Sequence, residues 1–305
     1  MAHAAAADVQ GSASLMRIGF VVLTYNRSDA LVALLRSLAP QLSAEDLLVV
    51  ADDGSREEHV QALRAGLPVS RGPVWHAWHP DTGFTASKAR NLGARVAHEA
   101  GADYIVFLDG DCIPGPGFVR AHRALARPGA FVNGSRVLLS PAFTDQVLAG
   151  EVDPLALSAG DWLRLRLSGQ VNKLGHLLHW PGLPGRVQAR FSWKGIRSCN
   201  FGLWWSDLAT VNGFDETFAG WGHEDADLVL RLHNQGLVRR NGYLASEVFH
   251  LWHREQARDR ESVNRLRVEN RRSEGTRLAA VGLNRPDLLA EARVTLLQSE
   301  GDRCE

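Results

Sequence analysis

Two acidic residues in this sequence are separated by one glycine and follow an apolar run. Asp109-Gly110-Asp111 comes directly after residues 104–108, which read Tyr-Ile-Val-Phe-Leu. In an extended chain the side chains at positions i and i+2 project to the same side, so both carboxylates can address one point beyond the end of a strand. Carboxylate oxygens suit Mg²⁺ or Mn²⁺, the ions that accompany diphosphates. An acidic turn without a metal is the alternative, and the preceding apolar run favours the metal site.

A second motif, residues 220–225, places glycines, an aromatic ring and two carboxylates in succession. The glycines flank Trp221 and allow it to lie exposed in a loop, where its ring can stack on the C–H face of a sugar. Glu224 and Asp225 then open a predicted helix over 224–234. Acidic residues in a first helical turn commonly complement the helix dipole, but this does not account for the tryptophan loop. One of these carboxylates could therefore act as a general base toward a hydroxyl.

Polar residues also follow two earlier apolar runs, at 18–23 and 47–51. After the first run, Tyr25 could stack on a base or pack internally. The second run ends in residues 52–55, Asp-Asp-Gly-Ser, whose carboxylates could bind a nucleobase or ribose or form an ordinary turn. A helix predicted from near Thr85 carries further polar groups, suited either to a pyrophosphate or to solvent. The candidate residues for binding a nucleotide or its diphosphate are Thr24, Tyr25, Asn26, Arg27, Asp52, Asp53, Lys88, Arg90, Asn91, Asp109 and Gly110.

Histidines occur in pairs that have the spacing of zinc ligands, with two residues between the partners. The pairs are His76 and His79, His176 and His179, and His250 and His253. Without a cysteine or glutamate at a fixed spacing, this pattern is weak evidence for zinc. A single imidazole that completes the ligand set around Asp111 is the favoured interpretation.

Alternating strands and helices must position these groups. Short apolar runs without alternation are typical of strands buried on both faces of a parallel sheet. Leucines at helical spacing over 31–38 and a helix predicted over 83–100 separate these runs. The pattern predicts a doubly wound α/β sheet with its ligand site at the carboxyl ends of the strands. Residues 140–193, which contain several prolines, predict a helical and irregular insertion over one side of the site.

The composition is that of a soluble globular protein with a substantial core. The chain has 305 residues, 45% of them hydrophobic, and 34 basic side chains balance 34 acidic ones, which argues against a nucleic-acid-binding protein. Few cysteines, no long apolar run and no secretory signal predict a cytoplasmic protein without a membrane span. We expect a disordered or added start over 1–15 and a catalytic domain over 16–253, divided into a nucleotide-binding half, 16–111, and an acceptor half, 112–253.

The remaining segment, 254–305, is rich in arginine with interleaved acids and predicts a helical tail. One interpretation is peripheral contact with the inner face of a membrane, which would bring the protein to a lipid-linked acceptor. A solvated helix with internal salt bridges is the other interpretation, and the interleaved acids favour it.

The order of these motifs resembles that of the family 2 glycosyltransferases, which have the GT-A fold. The motifs that carry the resemblance lie at 24–26, 52–55, 89–93, 109–111 and 220–225. Residues 199–227 also resemble the C-terminal motif of the β-1,4-galactosyltransferases, the chondroitin-polymerase domains and the polypeptide N-acetylgalactosaminyltransferases. The resemblance implies a GT-A fold, described as a Rossmann-like, doubly wound mixed sheet.

For the donor, the resemblance implies that Asp52 and Asp53 hold uracil and ribose in a pocket lined by Thr24 and Tyr25. Asp109 would contact the ribose or the donor sugar.

For the metal, the resemblance implies that Asp111 binds Mn²⁺ or Mg²⁺. A histidine after the last strand would complete the site, and His250 fits this role best by its position. His253 and Asp109 are the reserve ligands.

For catalysis, the resemblance implies that Asp225 is the base. Glu224 and Trp221 would place the sugars, with Gly222 and His223 on the acceptor side. His223 departs from the family, whose members often carry Gly or Arg there, so acceptor contacts at this position do not transfer.

The hypothesis is a metal-dependent, inverting transfer from a UDP-sugar to a hydroxyl of a saccharide or lipid-linked saccharide, in the assembly of a surface polysaccharide. A carbohydrate-binding module without activity, which would use the tryptophans as platforms, is one alternative. A sugar-nucleotide nucleotidyltransferase is another, but it predicts a glycine-rich loop after the first strand, and residues 24–27 contain no glycine.

Overall fold

The computed structural model describes residues 16–218, 220, 222–254 and 260–299. The predicted start over 1–15, Trp221, and the parts of the predicted tail at 255–259 and 300–305 lie outside the described residues. The strands are β1 (Ile18–Thr24), β2 (Leu47–Asp52), β3 (Val74–Trp78), β4 (Tyr104–Asp109), β5 (Cys112–Pro114), β6 (Ala130–Asn133), β7 (Ser135–Leu138), β8 (Val187–Gln188), β9 (Asn200–Trp204), β10 (Val238–Asn241), β11 (Glu247–His250) and β12 (Arg293–Gln298). The α-helices are α1 (Ser28–Leu38), α2 (Glu57–Gly66), α3 (Ala86–Glu99), α4 (Phe118–Leu125), α5 (Pro141–Leu148), α6 (Ala159–Leu167), α7 (Trp205–Thr210), α8 (Glu224–Asn234) and α9 (Glu261–Glu274), and short 3₁₀ helices cover Ala39–Gln41 and Gly175–Leu177.

A large mixed sheet organises the described residues. Its strands lie in the order β12-β3-β2-β1-β4-β9-β6-β10-β8. Strands β3, β2, β1 and β4 are parallel neighbours, whereas β9 runs antiparallel to both β4 and β6. A smaller sheet has the order β5-β11-β7. The prediction of a doubly wound mixed sheet is confirmed.

Helices cover both faces of the parallel part because its strands are apolar on both sides. Phe20 and Val22 of β1 point into a core with the leucines of α1, whereas Val21 points into the core that contains α3. Gly93 of α3 faces Val21 so closely that a Cβ at this position would lie 2.5 Å from a valine methyl carbon. The helix therefore needs glycine here to approach the sheet.

The predicted insertion packs against the small sheet. Trp162 of α6 is buried and stacks on Phe249 of β11, with ring centroids 4.8 Å apart. Phe143 of α5 meets the same tryptophan edge-on, at 6.1 Å. The insertion thus supports the strand that ends at His250, although the division of the chain into a nucleotide half and an acceptor half remains a prediction.

The described part of the C-terminal tail is held to the core through arginines. Arg271 of α9 donates to Asp227 at 2.6 Å and to Asp215 at 2.7 Å, and both carboxylates are fully buried. Asp227 also accepts a hydrogen bond from Arg231, at 2.8 Å. The side chain of Arg267 donates to the backbone of Thr217, at 2.8 Å. These contacts join the tail to the core and are not the internal salt bridges of a solvated helix. The prediction of a helical tail holds for α9, but Arg293–Gln298 forms strand β12, which pairs with β3. Contact with a membrane remains a prediction. Over the described residues, the structure contains no helix long and apolar enough to cross a membrane.

Replacing Arg271 with alanine is expected to destabilise the protein by about 3–5 kcal/mol, because Asp215 would lose its cation and Asp227 one of two. Urea unfolding followed by circular dichroism measures this loss. Arg272→Ala is the matched control, since the neighbouring Arg272 is exposed and its guanidinium only lies over the Phe191 ring, at 5.7 Å. Equal midpoints for the two variants would show that the buried ion pairs do not hold the tail.

Candidate functional site

The acidic pair predicted from the sequence lies at the carboxyl end of β4. The backbone N–H of Gly110 donates to the carbonyl oxygen of Leu23 at 2.7 Å, which links the segment between β4 and β5 to β1. A Cβ at Gly110 would lie 2.8 Å from that same oxygen, so only glycine fits between the two acids. The Asp109 side chain remains about one third exposed, and Asp111 enters a cluster of polar groups.

Asp111, His250 and His253 form a cluster that could hold a metal ion. One ligand atom from each residue lies within 4.8 Å of the other two. His250 is brought there by strand pairing, because it lies opposite Cys112 in the antiparallel pair of β11 with β5. The Nε2 atom of His253 lies 3.3 Å from an Asp111 oxygen, closer than the 3.8 Å of His250. The sequence favoured His250 and kept His253 in reserve, whereas the structure brings both imidazoles to Asp111.

The charge state of the cluster suits a cation. Burial lowers the pKa of His250, although the charge of Asp111 opposes this effect. Because its pKa is lowered, the imidazole stays neutral and can donate a lone pair. Arg27 also reaches this cluster, with its Nη1 atom 3.5 Å from an Asp111 oxygen. A carboxylate with two imidazole side chains is a suitable donor set for a divalent transition metal.

Arg90 connects the two acidic motifs. Its guanidinium is buried and lies 2.9 Å from Asp109 and 3.3 Å from Glu224. Burial alone would lower the pKa of Arg90, but the charges of these carboxylates outweigh it and raise the pKa. The arginine therefore stays charged and fixes the start of α8 against the end of β4.

The two carboxylates at the start of α8 have different roles in the electrostatics of the site. Burial and the neighbouring charge of Asp225 raise the pKa of Glu224 to about 7, despite the opposing charge of Arg90. Burial also raises the pKa of Asp225, but hydrogen bonds from the backbone of Ala226 and Ser198 oppose this effect. Glu224 thus retains a proton near neutral pH more readily, and Asp225 is the carboxylate better placed to accept one.

The loop before α8 contains residues in the left-handed backbone conformation. His223 adopts a left-handed φ of 70°, and Gly222 a φ of 102°. The carbonyl of Gly222 accepts a hydrogen bond from Asn264 of α9, at 3.0 Å. His223 meets the Trp193 ring edge-on at 5.4 Å, which places an aromatic residue of the insertion beside the loop. Trp221, the predicted sugar platform, lies outside the described residues.

The acids predicted to hold the nucleotide are buried and engaged. Asp52 accepts hydrogen bonds from the Ser55 N–H at 2.7 Å and lies 2.9 Å from His76. Asp53 accepts a hydrogen bond from the Thr85 N–H at 3.0 Å and lies 3.2 Å from His79. The first histidine pair therefore supports these two acids.

The segment after β1 borders the same region. Thr24 is buried, whereas Tyr25 is 46% exposed and donates from its hydroxyl to Asp81 at 2.9 Å. Asn26 has a left-handed φ of 49° and accepts a hydrogen bond from the backbone of Arg56, at 2.9 Å. Only Tyr25 of these three presents a largely exposed side chain.

Two residues predicted to contact the pyrophosphate, Lys88 and Asn91, have other partners in this structure. Lys88 donates to Glu291 of the C-terminal segment at 2.6 Å. Asn91 is completely buried, where it donates to the carbonyl oxygen of Phe214 and accepts from the N–H of the same residue, each at 2.9 Å. The structure therefore brings Arg90, but not Lys88 or Asn91, to the acidic motifs.

Sequence reasoning missed two groups at this site. The sequence analysis considered His76 and His79 only as weak zinc ligands. His76 lies in β3, which pairs with β2, the strand that ends at Asp52. Thr85 was considered only as the start of a helix, yet its N–H donates a hydrogen bond to the Asp53 carboxylate. The position of His76 within a strand beside that of Asp52 was the available signal.

The comparisons with known proteins agree with this fold. Residues 20–152 match the model of "Glycosyl transferase family 2", and residues 186–254 match the model described as "N-terminal domain of galactosyltransferase". The validoxylamine A glucosyltransferase of Streptomyces hygroscopicus subsp. jinggangensis is 31% identical over 235 residues, which cover 72% of this chain and 52% of the relative. The chondroitin synthase of Pasteurella multocida is 25% identical over 238 residues, which cover 73% of this chain and 23% of the relative.

A solved structure supports the fold assignment. The crystal structure of GalNAc-T7 with UDP, GalNAc and Mn²⁺ aligns with a TM-score of 0.50 and 15% identity, over 85% of this chain and 48% of that chain. The fold is therefore the GT-A fold of the glycosyltransferases. Residues 20–152 are similar to the family 2 glycosyltransferases, and residues 186–254, after most of the insertion, are similar to a galactosyltransferase domain. The chain spans about half the length of the validoxylamine A glucosyltransferases that it matches.

Proposed function

We propose that this chain transfers a sugar, with inversion, from a UDP-sugar to a hydroxyl of a saccharide acceptor. The observation that carries the proposal is that Arg90 contacts both Asp109, two residues before Asp111, and Glu224, the neighbour of Asp225. Sugar transfer needs charge neutralisation at the leaving diphosphate and a base at the attacking hydroxyl. The two acidic motifs supply groups for both.

Asp111, His250 and His253 are the residues that would hold a divalent cation. Mg²⁺ prefers oxygen ligands alone, and two imidazoles in the set therefore favour Mn²⁺ over Mg²⁺. When bound, the cation supplies positive charge at the departing diphosphate.

The other residues act on the substrates directly. Asp225 accepts the proton of the acceptor hydroxyl while the oxygen attacks the anomeric carbon and the bond from that carbon to the diphosphate breaks. Protonated Glu224 and charged Arg90 can hold hydroxyls of the donor sugar. Asp53 and Tyr25 border the region proposed for the nucleotide. A single displacement of this kind inverts the anomeric centre.

The acceptor and the pathway come from the family resemblance. The assembly of a surface polysaccharide, on a saccharide or lipid-linked saccharide acceptor, is proposed from the family resemblance alone. A relative 31% identical to this chain is named as a glucosyltransferase, so UDP-glucose is the first donor to test.

A panel of UDP-sugars tests the function. We expect one of UDP-glucose, UDP-galactose and their N-acetyl forms to raise the melting temperature with Mn²⁺, because a ligand that binds only the folded state stabilises it. The same donor should release UDP in a reaction that EDTA stops and Mn²⁺ restores. The anomeric signal in the NMR spectrum of the product reports inversion.

Other outcomes would identify the alternatives. A protein that binds saccharides but neither binds nor cleaves any UDP-sugar is a carbohydrate-binding module. One that makes a UDP-sugar from UTP and a sugar phosphate is a nucleotidyltransferase.

A further inference from the structure

We propose that Arg136, Lys173 and Arg197 form an oxyanion subsite beside the catalytic groups, so that the acceptor saccharide carries a negatively charged carboxylate or phosphate. The proposal rests on the proposed function for the assignment of the anion to the acceptor. We name these three residues the basic cluster.

The basic cluster is assembled from three separate segments of the chain. Arg136 lies in β7, and its Nη1 atom is 3.9 Å from the sulfur of Cys199 at the start of β9. Arg197 is two residues before this cysteine. Lys173, in the insertion, donates a hydrogen bond to the hydroxyl of Ser135, the residue before Arg136. These contacts tie the three cations to the starts of β7 and β9.

The cations of the basic cluster have few partners that could neutralise them. Within the described ranges, none of the three forms an ion pair. Arg136 has a buried Nε atom without a hydrogen-bond partner. In the described hydrogen bonds, the Arg197 guanidinium donates only to the carbonyl of the preceding residue, at a long 3.4 Å. Lys173 lies over the ring of Tyr243, with its Nζ atom 5.5 Å from the centroid.

Glu247, the acid whose charge acts on Lys173, already accepts hydrogen bonds. Glu247 is buried and accepts a hydrogen bond from the backbone of Leu244, at 2.7 Å. Its charge raises the pKa of Lys173, but burial and the charges of Arg197 and Arg136 outweigh it and lower the pKa. Burial and the charge of Arg136 lower the pKa of Arg197 against the opposing charge of Asp225. The pKa of Arg136 itself is raised against the effect of burial, in part by the charge of Asp109. The cations therefore repel one another, and an oxyanion bound among them would relieve this repulsion.

The position of the cluster assigns the anion to the acceptor. Arg136 pairs in register with Val248, two residues before His250, so that it shares a face of the small sheet with this histidine. On the other side, Ser198, next to Arg197, supplies a backbone hydrogen bond to Asp225. No member of the cluster comes from residues 16–111, which contain the predicted nucleotide contacts.

The chemistry of the cluster limits the ligand. Two guanidinium groups favour flat, bidentate recognition of a carboxylate or of a phosphate, and a lysine adds a third charge. A uronic acid residue and a sugar phosphate are the two kinds of acceptor that present such a group, and both contain hydroxyls for the transfer.

The test compares acceptors that differ only in charge. With the donor identified above, transfer rates are measured on glucuronic acid, glucose 6-phosphate and glucose, and their binding is measured by calorimetry without donor. We expect one anionic acceptor to exceed glucose in kcat/KM by about 10- to 100-fold, the worth of one or two hydrogen bonds to a charged group. Preference for glucuronic acid indicates a uronate acceptor, and preference for glucose 6-phosphate a phosphorylated one.

Variants assign the preference to the cluster. Arg197→Gln should reduce the ratio of anionic to neutral kcat/KM at least about 10-fold, and Arg197→Lys should restore part of it. The ratio is internal to each variant, so a general loss of structure does not move it. Arg190→Gln, at an exposed position of the insertion, is the matched control and should leave the ratio unchanged.

Two results would overturn the subsite. One is equal use of anionic and neutral acceptors by the unaltered protein, a measurement that does not depend on the folding of any variant. The other is a preference that persists unchanged in Arg197→Gln. Anion binding without transfer from any donor would instead reject the proposed function and leave the subsite in place.

Discussion

Replacement of Asp225 with asparagine is expected to lower turnover by about 10³-fold, within the range for loss of a general base. Asparagine preserves the size of the side chain and can still accept the 2.7 Å hydrogen bond from the N–H of Ala226, but it cannot take a proton from the acceptor. Donor binding should survive, because Asp225 contacts neither the Asp111 cluster nor Arg90 in the described hydrogen bonds. Single-turnover kinetics and a donor-dependent melting shift separate the two effects.

Two further variants sharpen this result. Glu224→Gln keeps a hydrogen-bond donor at a position whose pKa is raised to about 7 by burial and by the charge of Asp225, so it should cost less turnover than Asp225→Asn. Asp145→Asn, at an exposed position of α5, controls for the change of charge. If Glu224→Gln loses the rate and Asp225→Asn keeps it, the two carboxylates exchange roles. Full turnover in both would remove the pair from the mechanism.

The sheet could be predicted because its strands are buried on both faces. The run before Asp109 has no polar alternation, and this leaves a central parallel strand as the simplest structure. The chain direction then places the acids at the carboxyl edge. The need for glycine at position 110 was not predicted, because it comes from the contact with the Leu23 carbonyl in the folded chain.

Contacts between distant segments could not be predicted in the same way. The Asn91 amide is a polar group on a helix, and nothing local shows that it pairs with the backbone of Phe214, 123 residues away. The same holds for Arg271, whose two carboxylate partners are 44 and 56 residues away. Residue type predicts that a buried charge must be paired, but only the folded chain shows with what.

The metal site lies between these two cases. The sequence predicted Asp111 as a ligand from its motif, and the family resemblance implied His250; in the structure this histidine is the last residue of β11. The contribution of His253 depends on how the chain turns after β11, which spacing alone does not specify. The structure places both imidazoles within reach of one carboxylate, and this changes the expected behaviour of the single variants.

Removal of any one ligand is therefore expected to weaken Mn²⁺ binding strongly. Loss of groups that only support a metal ligand already costs about 10- to 100-fold in affinity or activity, so Asp111→Asn, His250→Ala and His253→Ala should each cost at least that much in Mn²⁺ affinity. Asp111→Asn should have the largest effect, because it removes the only charged ligand of the cluster. Electron paramagnetic resonance of free Mn²⁺ measures the affinity without any need for donor or acceptor.

The second imidazole makes a distinct prediction for the choice of ion. With His253 replaced by alanine, the remaining ligands are one carboxylate and one imidazole, and the advantage of Mn²⁺ over Mg²⁺ should shrink because an oxygen ligand from water replaces nitrogen. His179→Ala is the matched control, since this histidine lies exposed in the insertion and outside the cluster. If His253→Ala binds Mn²⁺ as tightly as His179→Ala does, His253 is not a ligand, and the simpler site with His250 alone is correct. Activity that survives EDTA in the unaltered protein would count against the metal at either histidine.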